Sequence, residues 1–456
     1  MAPGKALLFA VAGGAAVGNL YWAQPILDTI ATGFGISIGA AGQVITVTQL
    51  GYAIGVFLLV PLGDIVNRRV VIPAFMMVAA TMLAASALAP TFSVLLVTLA
   101  LVGASTVSGQ LLAPLAADLA DDDQRGRVLG TVASGMLLGV MIARAISGIV
   151  TDLIGWRALY LIVAGSMLVL SLVMYRALPT LAPRARVSYR ALLASVLGTY
   201  GHNATARWIG LIGAAAMATF TLFWTGLTLL LAAAPFGFST TQIGLVGLAG
   251  IFGALAAQRV GRLADRGLTV PAIGVGLVVA LAGFVVAGLG GSSLPVLLVA
   301  IAVYSIGIQS TMVLTQTRML AVDPASRSRL NTVFVVGNFI GGGLGSGLLM
   351  VAAAWADPVA IWGLWVGLAC VGLGLVCVWL EIGRPLRALH VFFNPATSWM
   401  SREAFVALLL FPMGLIAVLG FGWARMPLAA LALAFLYCQS RMLLATRPVW
   451  LESSAG

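Results

Sequence analysis

Runs of about twenty apolar residues recur along the whole chain, each ended by a charged or turn-forming stretch, and this spacing constrains the fold more than any motif. They fall near 6–27, 42–62, 70–89, 92–117, 128–150 and 157–178. They resume near 208–232, 240–258, 269–289, 294–316, 331–353 and 359–380, and two more lie near 404–422 and 427–446. Lipid offers no partner for backbone N–H and C=O groups, so continuous runs of this length predict helices. Of 456 residues, 61% are hydrophobic and 8% charged, against roughly 25% charged in soluble domains. A soluble enzyme, a disordered chain and a secreted disulfide scaffold are thereby excluded. The expected fold is an all-α polytopic membrane protein. The first run is too long for the apolar part of a cleavable signal and runs into Gln24 and Pro25 rather than a small-residue cleavage site.

A net charge of +11 would suggest nucleic acid in a soluble protein, but here the cations sort by loop. With the N-terminus inside, 21 of the 24 Lys and Arg residues fall on inner loops, while only Arg157 and Arg425 fall on outer ones. Positive segments resist translocation, so both termini are expected in the cytoplasm and no nucleic-acid partner is implied. Cys370, Cys377 and Cys438 lie in apolar runs without metal-ligand spacing and read as small buried hydrophobes. No Walker loop, nucleotide-binding segment or metal-ligand cluster is present, so neither cofactor nor metal is expected.

The chain also repeats itself. At an offset of 202, Asn19–Ala23 (NLYWA) is echoed by 221–225 (TLFWT), Gly42 by Gly244, and Gly51 by Gly253. The same offset pairs Arg125 and Arg127 with Arg327 and Arg329, Gly135 with Gly337 and Gly139 with Gly341, while Asp64 and Asp265 pair at 201. Runs one and seven share one membrane direction, so the halves are parallel six-helix repeats. Parallel repeats are related by an axis along the membrane normal and bind their cargo between them. Residues 1–178 and 208–380 form the two bundles, with a cytoplasmic loop at 179–207 between them and a further segment at 381–456.

The loop at 62–69, LGDIVNRR, resembles the G-x-L-a-D-R-x-G-R-R motif of the major facilitator superfamily, and its second copy at 261–267, GRLADRG, resembles it more closely. Residues 19–25, NLYWAQP, and 155–157, GWR, are similar to bacterial drug-efflux-type members. In the first motif copy Val60, Ile65 and Asn67 depart from the pattern. The resemblance implies secondary transport by alternating access rather than enzymatic chemistry, with a small-molecule substrate, an inner-membrane location and proton-coupled efflux. It also implies a gating role for Asp64, Arg68, Arg69, Asp265 and Arg266. The plainer alternative is a positive-inside turn with a capping Asp. Arg125, Arg127, Arg327 and Arg329 read either as a solvated charge cluster or as partners of Asp64 and Asp265.

Arg144 lies about sixteen residues into run five. An arginine centred in lipid costs roughly 2.5–3.5 kcal/mol on insertion scales, so it should face the bundle interior or a wet cavity, where it could bind an anionic group. Snorkelling to the outer headgroups is the alternative. No acid falls at the centre of a run; Asp28, at the outer end of run one, is the candidate for proton coupling, with helix capping as its other reading. In the family that the chain resembles, runs one, four, seven and ten line the cavity. That implies Asn19, Tyr21, Trp22, Gln24, Gln110, Thr221, Trp224, Gln309 and Gln316 as cavity residues, with interhelical hydrogen bonding as the alternative role. Aromatics, amides and one arginine suit an amphipathic or weakly anionic solute.

The last segment stands outside the repeat. Residues 381–387, 394–403 and 438–442 resemble the membrane-anchor subunit of dimethyl-sulfoxide-reductase-type enzymes, which implies, as an alternative function, a quinol-oxidising anchor with redox subunits as partners. Two accessory helices with a basic connector facing cytoplasmic headgroups are the plainer reading.

Overall fold

The computed structural model describes residues 3–121, 124–180, 188–290, 292–323 and 326–355, together with the single positions 406, 409 and 431. Run twelve, both C-terminal runs and the anchor-like segment 381–456 therefore lie outside the described residues, apart from those three positions. Among the described residues, nine helices are long and apolar enough to cross a membrane. A discontinuous first span and the helix Arg327–Trp355 bring the passes to eleven. The end of the bundle nearest Pro3 is called proximal below, and the opposite end distal.

Hydropathy predicts one helix over 6–27, but span one is two helices, Pro3–Gly18 and Leu27–Phe34, with a turn and the short 3-10 segment Gln24–Ile26 between them. Pro25 donates no N–H and its ring excludes a straight helix. The backbone instead closes tight i→i−3 bonds, from Leu20 N to Val17 O at 3.1 Å and from Tyr21 N to Gly18 O at 2.9 Å. Span four breaks at a matching depth, between Phe92–Ser105 and Ser108–Leu119. The two breaks brace one another: Asn19 Nδ2 donates to Thr106 Oγ1 at 2.8 Å, and that hydroxyl donates to Ala16 O at 3.0 Å. Side chains from a neighbouring helix thus satisfy backbone that a continuous helix would have satisfied itself.

The duplication reappears as packing. Gly135 and Gly139 on span five (Arg125–Ile154) lie against the backbone of Ala10 and Gly14 on span one. Gly341 and Gly345 lie against Ala214 and Ala218 on span seven (Ala204–Ala232) in the same way. A Cβ on Gly139 would sit 2.3 Å from Gly14 O, and one on Gly341 2.1 Å from Ala214 O, so both copies need glycine for the same close approach. Likewise Gly51 of span two (Gln43–Leu59) meets Ala100 of span four, and Gly253 of span eight (Thr240–Gly261) meets Ser305 of span ten (Leu294–Val322).

The linker at 179–207 contains a helix, Tyr189–His202, started by the Ser188 hydroxyl accepting from Ala191 N at 3.3 Å. Arg157, one of two cations expected outside, donates to Ala87 O at 2.7 Å and Ala89 O at 3.0 Å, closing the end of span three (Arg68–Ala87). A cation at a helix C-terminus is favourable whatever side it faces.

Candidate functional site: an arginine at the seam between the bundles

The bundles are stitched together at the distal end. Thr46 of span two and Ser346 of span eleven share a hydrogen bond of 2.8 Å. Across the pseudo-equivalent seam, between spans five and eight, Thr240 Oγ1 donates to Gly148 O at 3.0 Å and to the Asp152 carboxylate, and Thr241 N donates to that carboxylate at 2.8 Å. Asp152 therefore caps, from the other bundle, the helix Thr240–Val246, whose own Ser239 and Gln242 form a capping box. An acid at a helix N-terminus satisfies orphan N–H groups and complements the dipole. Sequence reading did not single out Asp152, because a cap supplied from 89 residues away leaves no local pattern.

A cavity of about 210 Å³ lies on the proximal side of this seam. On span five its walls are at 136–144, below the seam residues 148 and 152; on span eight they are Gly250 and Ala254, below Thr240; on span eleven, Asn338 and Phe339, below Ser346. Four of the expected cavity residues, Tyr21, Arg144, Trp224 and Gln309, line it. Asn19, Trp22 and Gln24 form the buried break of span one behind Arg144: Trp22 Nε1 donates to Asn19 Oδ1 at 3.1 Å, and Ser147 Oγ donates to Trp22 O at 2.5 Å. The other three are placed elsewhere. Gln110 donates to Tyr52 OH at 3.0 Å, Gln316 to Asn331 Oδ1 at 3.0 Å, and Thr221 to Met217 O at 3.1 Å within its own helix. Met136, Met141, Ser305, Met312, Asn338 and Phe339 complete walls that sequence reading did not name, and several come from spans five and eleven. Glycines pack those spans closely against spans one and seven, and this closeness brings them to the cavity.

Arg144 is 5% exposed and does not snorkel. Its Nε donates to Gln24 Oε1 at 2.8 Å, and its guanidinium carbon lies 4.1 Å from the Trp224 ring centre, 5.2 Å from Tyr21 and 5.6 Å from Phe220. Its Nη2 is buried without a hydrogen-bond partner, as are Trp224 Nε1 and Ser305 Oγ. Buried polar groups are normally satisfied, so the gathering of these unpartnered atoms around one cavity makes it the candidate site.

The expected gating residues group within each bundle. Arg68 is buried and donates to Asp64 at 3.1 Å, to Asp118 at 3.0 Å and to Gly63 O at 2.9 Å, tying spans two, three and four at the proximal end. Arg69 donates to Tyr175 O and Thr180 at the end of span six (Trp156–Ala177). Arg125 donates to Ala117 O at 3.2 Å and its repeat partner Arg327 to Leu320 O at 3.3 Å, each closing the end of the preceding span. Arg127, Arg266 and Arg329 are exposed; the side chain of Asp265 lies outside the described residues. Asp28 is exposed in the first turn of Leu27–Phe34 and does not line the cavity.

A model of the Major Facilitator Superfamily matches residues 8–346. The chain is 36% identical over 378 residues to the uncharacterized transporter YgaY of Escherichia coli O157:H7, covering 83% of this chain and 94% of that one. It is 31% identical over 357 residues to the probable transporter SCO4007 of Streptomyces coelicolor, covering 76% and 82%. Its fold is similar to that of the crystal structure of the nucleoside transporter NupG, with a TM-score of 0.66 at 15% identity over 83% of this chain and 98% of that one.

Proposed function

The chain belongs to the Major Facilitator Superfamily and is a multi-pass membrane transporter rather than an enzyme, and we propose that it exports a small organic solute across a bacterial inner membrane by proton-coupled alternating access, as drug-efflux-type members do. The observation that carries this reading is the cavity between duplicated bundles, closed on its distal side by inter-bundle hydrogen bonds. Two bundles joined at one end can exchange that seam for one at the other, which moves access across a fixed site. The inward bias of Lys and Arg puts both termini in the cytoplasm, so the distal seam faces out and the arrangement is the one that loads from inside.

Proton coupling then enters at the outer face. Among the described residues Asp28 and Asp152 are the carboxylates there. The hydrogen bonds from Thr240 and Thr241 favour the charged form of Asp152, which holds the outer seam by capping Thr240–Val246, so Asp28 is the group offered for protonation. The Asp64–Arg68–Asp118 cluster serves as a rigid corner that rocks with its bundle. The anchor-like reading of 381–456 rests on sequence resemblance alone.

Flux of a compound panel in proteoliposomes, with and without an imposed pH gradient, tests this reading. Export should need the gradient; flux indifferent to it sinks the antiport mechanism, and no flux for any compound sinks the export of a small organic solute. Asp28→Asn and Asp152→Asn, assayed side by side, separate the two carboxylates.

A further inference from the structure

The cavity holds a full positive charge and, among the described residues, no carboxylate lines it. Arginine stays protonated in proteins, so Arg144 cannot relieve its burial by losing its charge. The three rings around it offset part of the desolvation but give its N–H groups no acceptor. Gln24 occupies Nε, and Nη2 remains buried and unpartnered. A buried guanidinium with an unfilled donor is complementary to an oxyanion, the partner its planar fork matches best.

We infer that Arg144 is the recognition point for an organic monoanion, a carboxylate or sulfonate on an aromatic or apolar body, whose charge supplies the counter-ion that the cavity lacks. The inference rests on the transporter reading in calling this anion a substrate. One arginine without a second cation among the lining residues sets the ligand charge at minus one. Met136, Met141, Met217, Met312 and Phe220 provide soft apolar walls that adapt to different carbon skeletons. Ser305, with its hydroxyl unpartnered, and Gln309 give a neutral polar patch on the wall formed by span ten, suited to a hydroxyl or amide on the anion's body. Trp224 Nε1 is a further unfilled donor beside the guanidinium.

Equilibrium binding of radiolabelled 2-naphthoate, 2-naphthamide and 2-naphthylmethylammonium to the purified full chain in detergent tests this. The three share one ring system and differ in charge. Naphthoate should bind saturably, with naphthamide and the ammonium each weaker by roughly tenfold or more, as expected when a charged donor loses its charged acceptor. Arg144→Gln should remove that preference, while Arg144→Lys keeps a weaker preference for the anion. Equal binding of the three compounds, no binding of naphthoate, or an unchanged preference in a folded Arg144→Gln would each overturn the inference. If Arg144→Gln does not fold, the wild-type charge preference and its survival in Arg144→Lys decide. Arg144-dependent naphthoate binding without any flux in proteoliposomes would leave the anion site standing and remove the reading of organic-solute export; flux without charge preference would do the reverse.

Discussion

The two copies of one motif, 19–23 and 221–225, occupy equivalent places in the two bundles and fold differently. In the first copy the helix breaks; in the second it runs unbroken from Ala204 to Ala232. Pro25 enforces the break, and its counterpart at 227 is a leucine. Asn19 then reaches Thr106 across to span four, whereas Thr219, Thr221 and Thr228 bond back to carbonyls of their own helix. The tryptophans diverge accordingly. Trp22 Nε1 is spent on Asn19, while Trp224 turns its ring to Arg144 and leaves its N–H unfilled. Arg144 is itself unduplicated: its counterpart, Ser346, closes the seam with Thr46. Duplication supplies the frame, and divergence at one depth within it supplies a polar, unsymmetrical site.

Substitutions can test which parts of the two copies are equivalent. The largest effects should come where they agree. Gly139→Ala and Gly341→Ala each drive a Cβ into facing backbone and should destabilise by similar amounts, about 3 kcal/mol. Thermal unfolding of the purified proteins checks this; a strong loss in one copy alone would break the equivalence. Next comes the place where they differ. Asn19→Leu removes the bonds to Thr106 and Trp22 and should cost about 2 kcal/mol, by the same measurement. A smaller effect follows at the seam. Asp152→Asn takes the charged cap from Thr240–Val246, worth about 1 kcal/mol, so spin labels at Ile154 and Leu245 should show a larger fraction of long separations. The smallest is Thr221→Val, which loses only a back-bond within a continuous helix and should stay within about 0.5 kcal/mol.

Much of this architecture was legible without coordinates. The ends of spans two to eleven agree with the apolar runs to within about seven residues, because lipid demands a helix wherever a run is long enough. The break in span one was not, although Gln24 and Pro25 were in view, since a hydropathy run records solubility in lipid and not which turn of a helix forfeits its bonds. The helix in the linker was hidden by Arg190 and the arginines flanking it at 184, 186 and 207, a stretch that hydropathy reads as loop.

The site divides along the same line. Arg144 was expected to face the bundle interior or a wet cavity, since an arginine deep in an apolar run has few other favourable places. Restricting the walls to spans one, four, seven and ten passed over the methionines of span five and Asn338 of span eleven. Gln110 and Gln316 were equally polar and equally placed by span, yet the fold gives them to Tyr52 and Asn331.

By itself, then, the sequence determined the positions of the spans among the described residues, the duplication and the presence of a costly interior cation, because each follows from transfer free energies and repetition along the chain. Only the tertiary structure decided which orphaned groups meet: Asn19 with Thr106, Asp152 with Thr241, and Gln24 with an arginine left one partner short. Those pairs lie 87 to 120 residues apart, and hydrogen-bond geometry between distant segments is set by packing, which leaves no period or spacing in the chain to read.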